Sequence, residues 1–122
     1  MKLISVFFVA FALLASSPVG IAQESSADSR RANQVLEWNQ IFIDTLIATN
    51  TANSSSQRLG AIVHTAIFDA LNGVERRYAP VFVHDRAPQG SSRRAAVIAA
   101  AYTALVGLFP LRQPVLDESY SA

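Results

Sequence analysis

The chain has 122 residues, a formal net charge of +1 and no cysteine. This length accommodates at most one small domain, and a hydrophobic fraction of 51% is too high for a disordered chain. The lack of cysteine excludes disulfides, thiolate zinc sites and catalytic thiols, while the near-neutral balance indicates no electrostatic affinity for nucleic acid or an acidic membrane surface.

Residues 1–22 have the pattern of a signal peptide. Lys2 supplies the positive start, residues 3–15 form an uncharged apolar run, and Gly20 and Ala22 place small residues before a cleavage site at Gln23. An uncleaved anchor helix is the alternative, but the run is shorter than the roughly 20 residues that span a bilayer. We therefore expect export to the periplasm or the medium, with residues 23–32 forming a flexible polar leader.

The first predicted helix begins at Asn33, which is a suitable N-cap, and ends near Thr49. This helix carries one polar side chain among its apolar ones. Asn39 falls inside the apolar stripe, and a buried amide costs about 1–3 kcal/mol if it has no partner. We therefore expect Asn39 to be mostly buried and hydrogen-bonded to the second helix or its loop. The stripe itself comprises Val35, Trp38, Phe42 and Leu46, widened by Leu36, Ile43 and Ile47.

The second predicted helix begins among the serines at 54–56 and ends near Asn72, with Gly73 suited to its C-terminal cap. Its apolar arc covers well over half the circumference, which indicates burial on more than one side. The segment 73–92 is irregular, with Pro80, Pro88 and Gly90. Residues 78–83 within it are compatible with a short extended piece.

The third predicted helix runs from near Ser92 to about Leu108 and has a face of small residues where another helix can approach closely. A transmembrane span is the alternative for the uncharged residues 95–111, but the run is short, rich in alanine and ended by Pro110. A fourth helix starts near Pro114. The fold class expected is all-α, with about three helices plus the start of a fourth.

Four polar residues form the candidate site: Asn39, His64, Asp69 and Asn72. His64 and Asp69 are five residues apart and project about 140° from each other on a helix, so they cannot hold one metal from one face. A Ser-His-Asp triad stays open, although no nucleophile-elbow pattern is present. We expect a structural cluster, with His64 buried and hydrogen-bonded, Asp69 paired with Arg76 or Arg77, and Asn72 at the helix end, where it can also contact Asn39.

The remaining candidates for chemistry are His84 and three arginine pairs. His84 lies on a loop and is expected to be solvated. The pairs at 30–31, 76–77 and 93–94 are able to grip phosphate, but such pairs more often bridge to nearby acids or face water. We therefore assign no catalytic, cofactor-binding or metal-binding residue on these grounds.

Three segments together resemble a known family. VLEWNQIFIDTLIATN, RLGAIVHTAIFDALNGVERRYAPV and AAVIAAAYTALVGLFPLRQPVLD are similar to the N-terminal region of bacterial vanadium-dependent haloperoxidase-like proteins, which belong with the type 2 phosphatidic acid phosphatases. The resemblance covers the chain from about Val35 onward. It implies that residues 33–122 are the N-terminal part of a haloperoxidase- or acid-phosphatase-like helical bundle.

The resemblance also implies what this chain lacks. In that family the catalytic groups lie much later in a longer chain: a lysine and arginines hold the vanadate or phosphate, one histidine is its covalent or coordinating ligand, and another, after a Ser-Gly pair, serves as acid/base. None of these motifs can be placed here. The chain is therefore expected to be an inactive scaffold fragment without a cofactor, with vanadate possible only in the full-length protein. Its partners would be the missing C-terminal helices or further copies of itself. The alternative is a free-standing exported helical module that binds a partner without catalysis.

Overall fold

The computed structural model describes residues 21–122, with side chains from residue 34 onward. Within this range the expected all-α class is confirmed. The four helices are α1 (Ile21–Ala48), α2 (Asn53–Glu75), α3 (Arg93–Leu108) and α4 (Gln113–Ser121), and a 3₁₀ helix (Pro110–Arg112) joins α3 to α4. Residues 1–20 of the expected signal peptide lie outside the described residues.

The first helix begins earlier than the sequence pattern predicts. α1 starts at Ile21 rather than at Asn33, so residues 23–32 are helical and the expectation of a loose leader there is wrong. The segment contains no glycine or proline, and its alanine, glutamate, glutamine and arginine residues are good helix formers. The polar composition of residues 23–32 therefore does not indicate a loop.

The end of α2 also differs from the prediction. The residue with left-handed backbone is Arg76, at φ 56°, and its N–H donates to the Asn72 carbonyl at 2.7 Å. Gly73 instead lies buried inside the helix, where an added Cβ would stand 3.4 Å from the Asp85 carbonyl oxygen. Gly73 therefore does not terminate α2, and the following loop packs against it at ordinary van der Waals distance.

Local sequence signals fix the boundaries of α3 and α4. The Ser92 side chain caps α3 by accepting a hydrogen bond from the Ala95 N–H at 3.3 Å. Pro110 disfavours helical backbone at Phe109, which ends α3. Pro114 lies in the first turn of α4, where its missing N–H costs nothing. The Tyr102 hydroxyl donates to the Asp117 carboxylate at 2.6 Å and ties α4 back to α3.

The core is built around α3, which packs against α1, α2 and α4. Of the predicted α1 stripe, Trp38 and Phe42 are buried, whereas Leu36 and Ile47 are exposed. The part of the α1 circumference that is buried is thus narrower than the apolar stripe predicted from the sequence. The buried apolar residues are Trp38, Phe42, Val63, Ile67, Val97, Ala101, Leu105 and Leu116.

No single helix among residues 21–122 has the length and apolar character to cross a membrane. By those two criteria alone, the pair Arg93–Leu108 and Pro110–Ser121 passes when taken together, with a bend of 117° between its two halves.

Leu105 is fully buried at the centre of the core, so its truncation tests the packing directly. We expect Leu105→Ala to lower the free energy of unfolding by about 2–5 kcal/mol, because it removes apolar contacts and leaves a cavity. The matched control is Leu36→Ala, at a side chain that is 64% exposed on α1, with an expected effect within about 0.5 kcal/mol. Equal losses in urea unfolding of the two variants would contradict the described core.

Candidate functional site

The four polar residues of the candidate site separate into two pairs. Asn39 and His64 form the first, with His64 Nε2 3.0 Å from Asn39 Oδ1. The predicted hydrogen bond from Asn39 to the second helix is therefore confirmed, although Asn39 is half-buried rather than mostly buried. The expected burial of His64 is wrong, because α1 and α2 touch only along a narrow line and leave His64 exposed.

Asp69 belongs to the second pair and is buried, with 3% of its surface exposed. Its carboxylate accepts three hydrogen bonds from consecutive backbone N–H groups. Oδ1 receives the Val81 N–H at 2.8 Å, and Oδ2 receives those of Phe82 at 2.7 Å and Val83 at 3.0 Å. Successive N–H groups that converge in this way form an anion-binding nest, and here the anion is a side chain of the protein itself.

The nest determines the charge state of Asp69. Hydrogen bonds from the Val81 and Val83 N–H groups lower the pKa of this carboxyl below its ordinary value, and burial, which opposes them, does not cancel their effect. The expectation that Arg76 or Arg77 compensates Asp69 is wrong. Arg77 instead pairs with Glu75 at 3.4 Å, and the backbone supplies the compensation that an arginine was expected to give.

Asn72 is the other member of this pair and is 4% exposed. Its Oδ1 accepts the N–H groups of Arg77 at 3.1 Å and Tyr78 at 2.9 Å, and its Nδ2 donates to the Tyr78 carbonyl at 2.8 Å. Asn72 thus stands at the helix end as expected and also holds the first turn of the chain beyond it. Its contacts are with that turn and not with Asn39.

Asp69, Asn72 and Gly73 are three and four residues apart, so they lie on one side of α2. Together they fasten residues 76–87, here called the return loop, to the end of that helix. The far end of the loop is closed by the Ala87 N–H, which donates to the Gly73 carbonyl at 3.1 Å. The Arg76 guanidinium donates to the His84 carbonyl at 3.2 Å across the loop. The exposed His84 side chain takes no part in this closure.

The contacts of Asp69, Asn72 and Gly73 hold the backbone of the return loop in place, and they do not bring catalytic side chains together. The Asp69 oxygens are occupied by N–H donors and buried, which does not suit a general base. Arg93 pairs with Glu75 at 2.8 Å, so the arginine pair at 93–94 borders a carboxylate that would repel an oxyanion. Among the side chains that the structure describes, no group of three His, Asp or Glu residues could hold a metal ion.

An open groove of about 720 Å³ runs between α2, α3 and the return loop. Its floor consists of small side chains, and Asp85 and Arg86 lie at the edge formed by the loop. This is the small-residue face of α3 that the sequence predicts. The alanines that line it are Ala66, Ala70, Ala87, Ala95, Ala96, Ala99, Ala100 and Ala104.

Comparison with known proteins identifies no relative. No protein-family model matches the chain, and no curated protein or solved structure shows significant similarity to it.

Asp69 makes the stability of the fold depend on acidity. Because the nest holds its folded-state pKa below the ordinary value of 3.8, its contribution is complete above that value and is lost as pH falls through the folded-state pKa. We expect the urea midpoint of the wild type to fall steeply below about pH 4. The Asp69→Asn variant should have a lower midpoint at neutral pH and should lack this component of the fall, because it cannot ionise.

Asp44→Asn is the control for this experiment, since Asp44 is an exposed acid on α1 that bonds only to Gln40 among the described contacts. Its midpoint should follow that of the wild type across the same pH range. Parallel curves for Asp69→Asn and the wild type would show that the buried carboxylate does not stabilise the fold.

Proposed function

We propose that this chain is the N-terminal helical scaffold of an exported haloperoxidase-like or acid-phosphatase-like protein, and that the oxyanion-binding groups lie in another part of that protein. The family is proposed on the resemblance of the three segments quoted above to vanadium-dependent haloperoxidase-like proteins. The signal-peptide pattern of residues 1–22 supports export.

The observation that carries the proposal is the open groove between α2 and α3. Ala99 and Thr103 in its lining are exposed, and small residues let a second helix backbone approach closely. Gly107 continues this side of α3 with open space around it. We propose that helices of the same protein occupy the groove, which would place the return loop at the border of a larger bundle.

The residues present do not fit a bound vanadate or phosphate. The only lysine is Lys2, and no Ser-Gly-His sequence occurs. In the described part, the second cavity, of about 500 Å³, contains Arg93 and Arg94 but also Glu75, whose charge opposes an oxyanion. We therefore derive no catalytic step from this chain and propose that vanadate, if used, binds elsewhere in the protein.

A free-standing exported helical binding module is the second candidate. The observation that favours it is the return loop, which exposes apolar side chains although its backbone is firmly held. Such a module would bind a partner and catalyse nothing.

The scaffold proposal is tested by reading the DNA that adjoins the coding sequence and co-expressing its product with this chain. We expect a reading frame that encodes the lysine, arginine and Ser-Gly-His motifs, and we expect its product to co-purify with the chain. The chain alone should neither oxidise bromide with peroxide nor hydrolyse a phosphate ester. Absence of such a frame, or turnover by the chain alone, would contradict the proposal.

Two variants distinguish groove binding from adventitious association. Ala99→Trp fills the groove at an exposed position, whereas Ala61→Trp adds the same bulk at an exposed position of α2 outside it. We expect Ala99→Trp to weaken co-purification about tenfold, because the extra bulk must be accommodated in the contact. Ala61→Trp should bind as the wild type does. Equal binding by both variants would show that the partner does not use the groove.

A further inference from the structure

The return loop exposes four apolar side chains within six residues. Scattered exposed apolar residues are ordinary on protein surfaces, but a contiguous group of this kind marks an interaction site. The exposed fractions are 68% for Tyr78, 54% for Val81, 78% for Phe82 and 52% for Val83.

The backbone of this segment is fixed in a way that keeps these side chains outside. Asp69 holds the N–H groups of Val81, Phe82 and Val83, and Asn72 holds both polar backbone atoms of Tyr78. The loop could turn its apolar side chains inward only by breaking these buried bonds. The Tyr78 ring also packs against Phe68 of α2, with ring centroids 6.0 Å apart.

The positive charge of the described residues is concentrated in the segment of the sequence that contains the return loop. Residues 75–94 contain five arginines and two acidic residues, a net charge of +3, whereas residues 34–74 carry −2 and residues 95–122 carry −1. Two of the five arginines pair with Glu75; the other three, at 76, 86 and 94, form no ion pair within the described part. The near-neutral total therefore conceals a strongly basic segment.

We propose that the return loop docks on an anionic lipid surface. The apolar side chains would enter the boundary between headgroups and acyl chains, where aromatic rings are favoured. Arg76 and Arg86, the loop arginines without an ion pair in the described part, would contact lipid phosphates. A nucleic acid would use the charge but not the valines and Phe82, and a second copy would bring two positive loops together. This inference does not depend on the proposed scaffold role.

The sole tryptophan, Trp38, is buried in the core, so a tryptophan introduced into the loop reports its own environment. The experiment uses residues 23–122, the chain expected after signal cleavage, carrying Phe82→Trp. The vesicles consist of phosphatidylcholine alone or with about 30% phosphatidylglycerol, and lipid brominated on its acyl chains is the quencher. We expect blue-shifted, quenched indole fluorescence on the anionic vesicles and little change on the neutral ones. High salt should reverse the effect.

Leu36→Trp provides the matched control, because Leu36 is similarly exposed but lies on α1. Its indole should not be quenched, even if another part of the chain touches the vesicle. Adding Arg86→Gln to Phe82→Trp should weaken the anionic-vesicle binding about fivefold through the loss of one surface cation. The proposal is overturned if the Phe82→Trp indole stays unquenched, if Leu36→Trp is quenched equally, or if neutral vesicles bind as well.

Discussion

The contact between the Asp69 carboxylate and three backbone N–H groups is the constraint on which this structure depends. A buried carboxylate is costly unless hydrogen bonds replace its lost water, and consecutive peptide groups of one loop supply them. The same contact satisfies N–H groups that have no strand or helix in which to pair. The buried carboxylate of α2 and the three N–H groups of the return loop thus satisfy one another's hydrogen-bonding requirement.

The molecule is held together by two groups of contacts, which are here called the apolar assembly and the polar assembly. The apolar assembly is the core around α3, where Leu105 and Ala101 are fully buried. The polar assembly closes the return loop over the end of α2, with Asn72 at its beginning and Gly73 at its close. Since Asp69 and Asn72 hold the loop through its backbone groups, the apolar side chains of the loop are left free to face outward. The groove and the exposed side chains of the loop meet at Val83 and Arg86, but Tyr78, Val81 and Phe82 lie outside the groove lining. The Ala99→Trp and Phe82→Trp variants therefore test different parts of the surface.

The sequence was sufficient to predict the features that depend on local periodicity. The all-α class, the beginning of α3 near Ser92 and the burial of Trp38 and Phe42 follow from apolar spacing and capping chemistry. The apolar arc of α1 was overestimated, because periodicity shows which side chains can be buried but not how many neighbours cover them. Residue polarity similarly misplaced the start of α1.

The partners of the site residues were harder to predict. Arginine was the only visible countercharge for Asp69, whereas the true donors are backbone N–H groups, which every residue except proline carries and no sequence pattern marks. Gly73 was taken for a cap because that is the commonest use of glycine at a helix end, whereas it lies inside α2 and its carbonyl accepts the Ala87 N–H of the loop. The spacing of Asp69, Asn72 and Gly73 on one side of α2 was the available signal that these residues act together.

Amide hydrogen exchange at Val81, Phe82 and Val83 tests the central claim most directly. The account predicts protection of all three amides in the wild type despite their exposed side chains, and its loss in Asp69→Ala while the amides of Ala101 and Leu105 stay protected. Exchange of the three loop amides at the rate of an unstructured peptide in the wild type would contradict it.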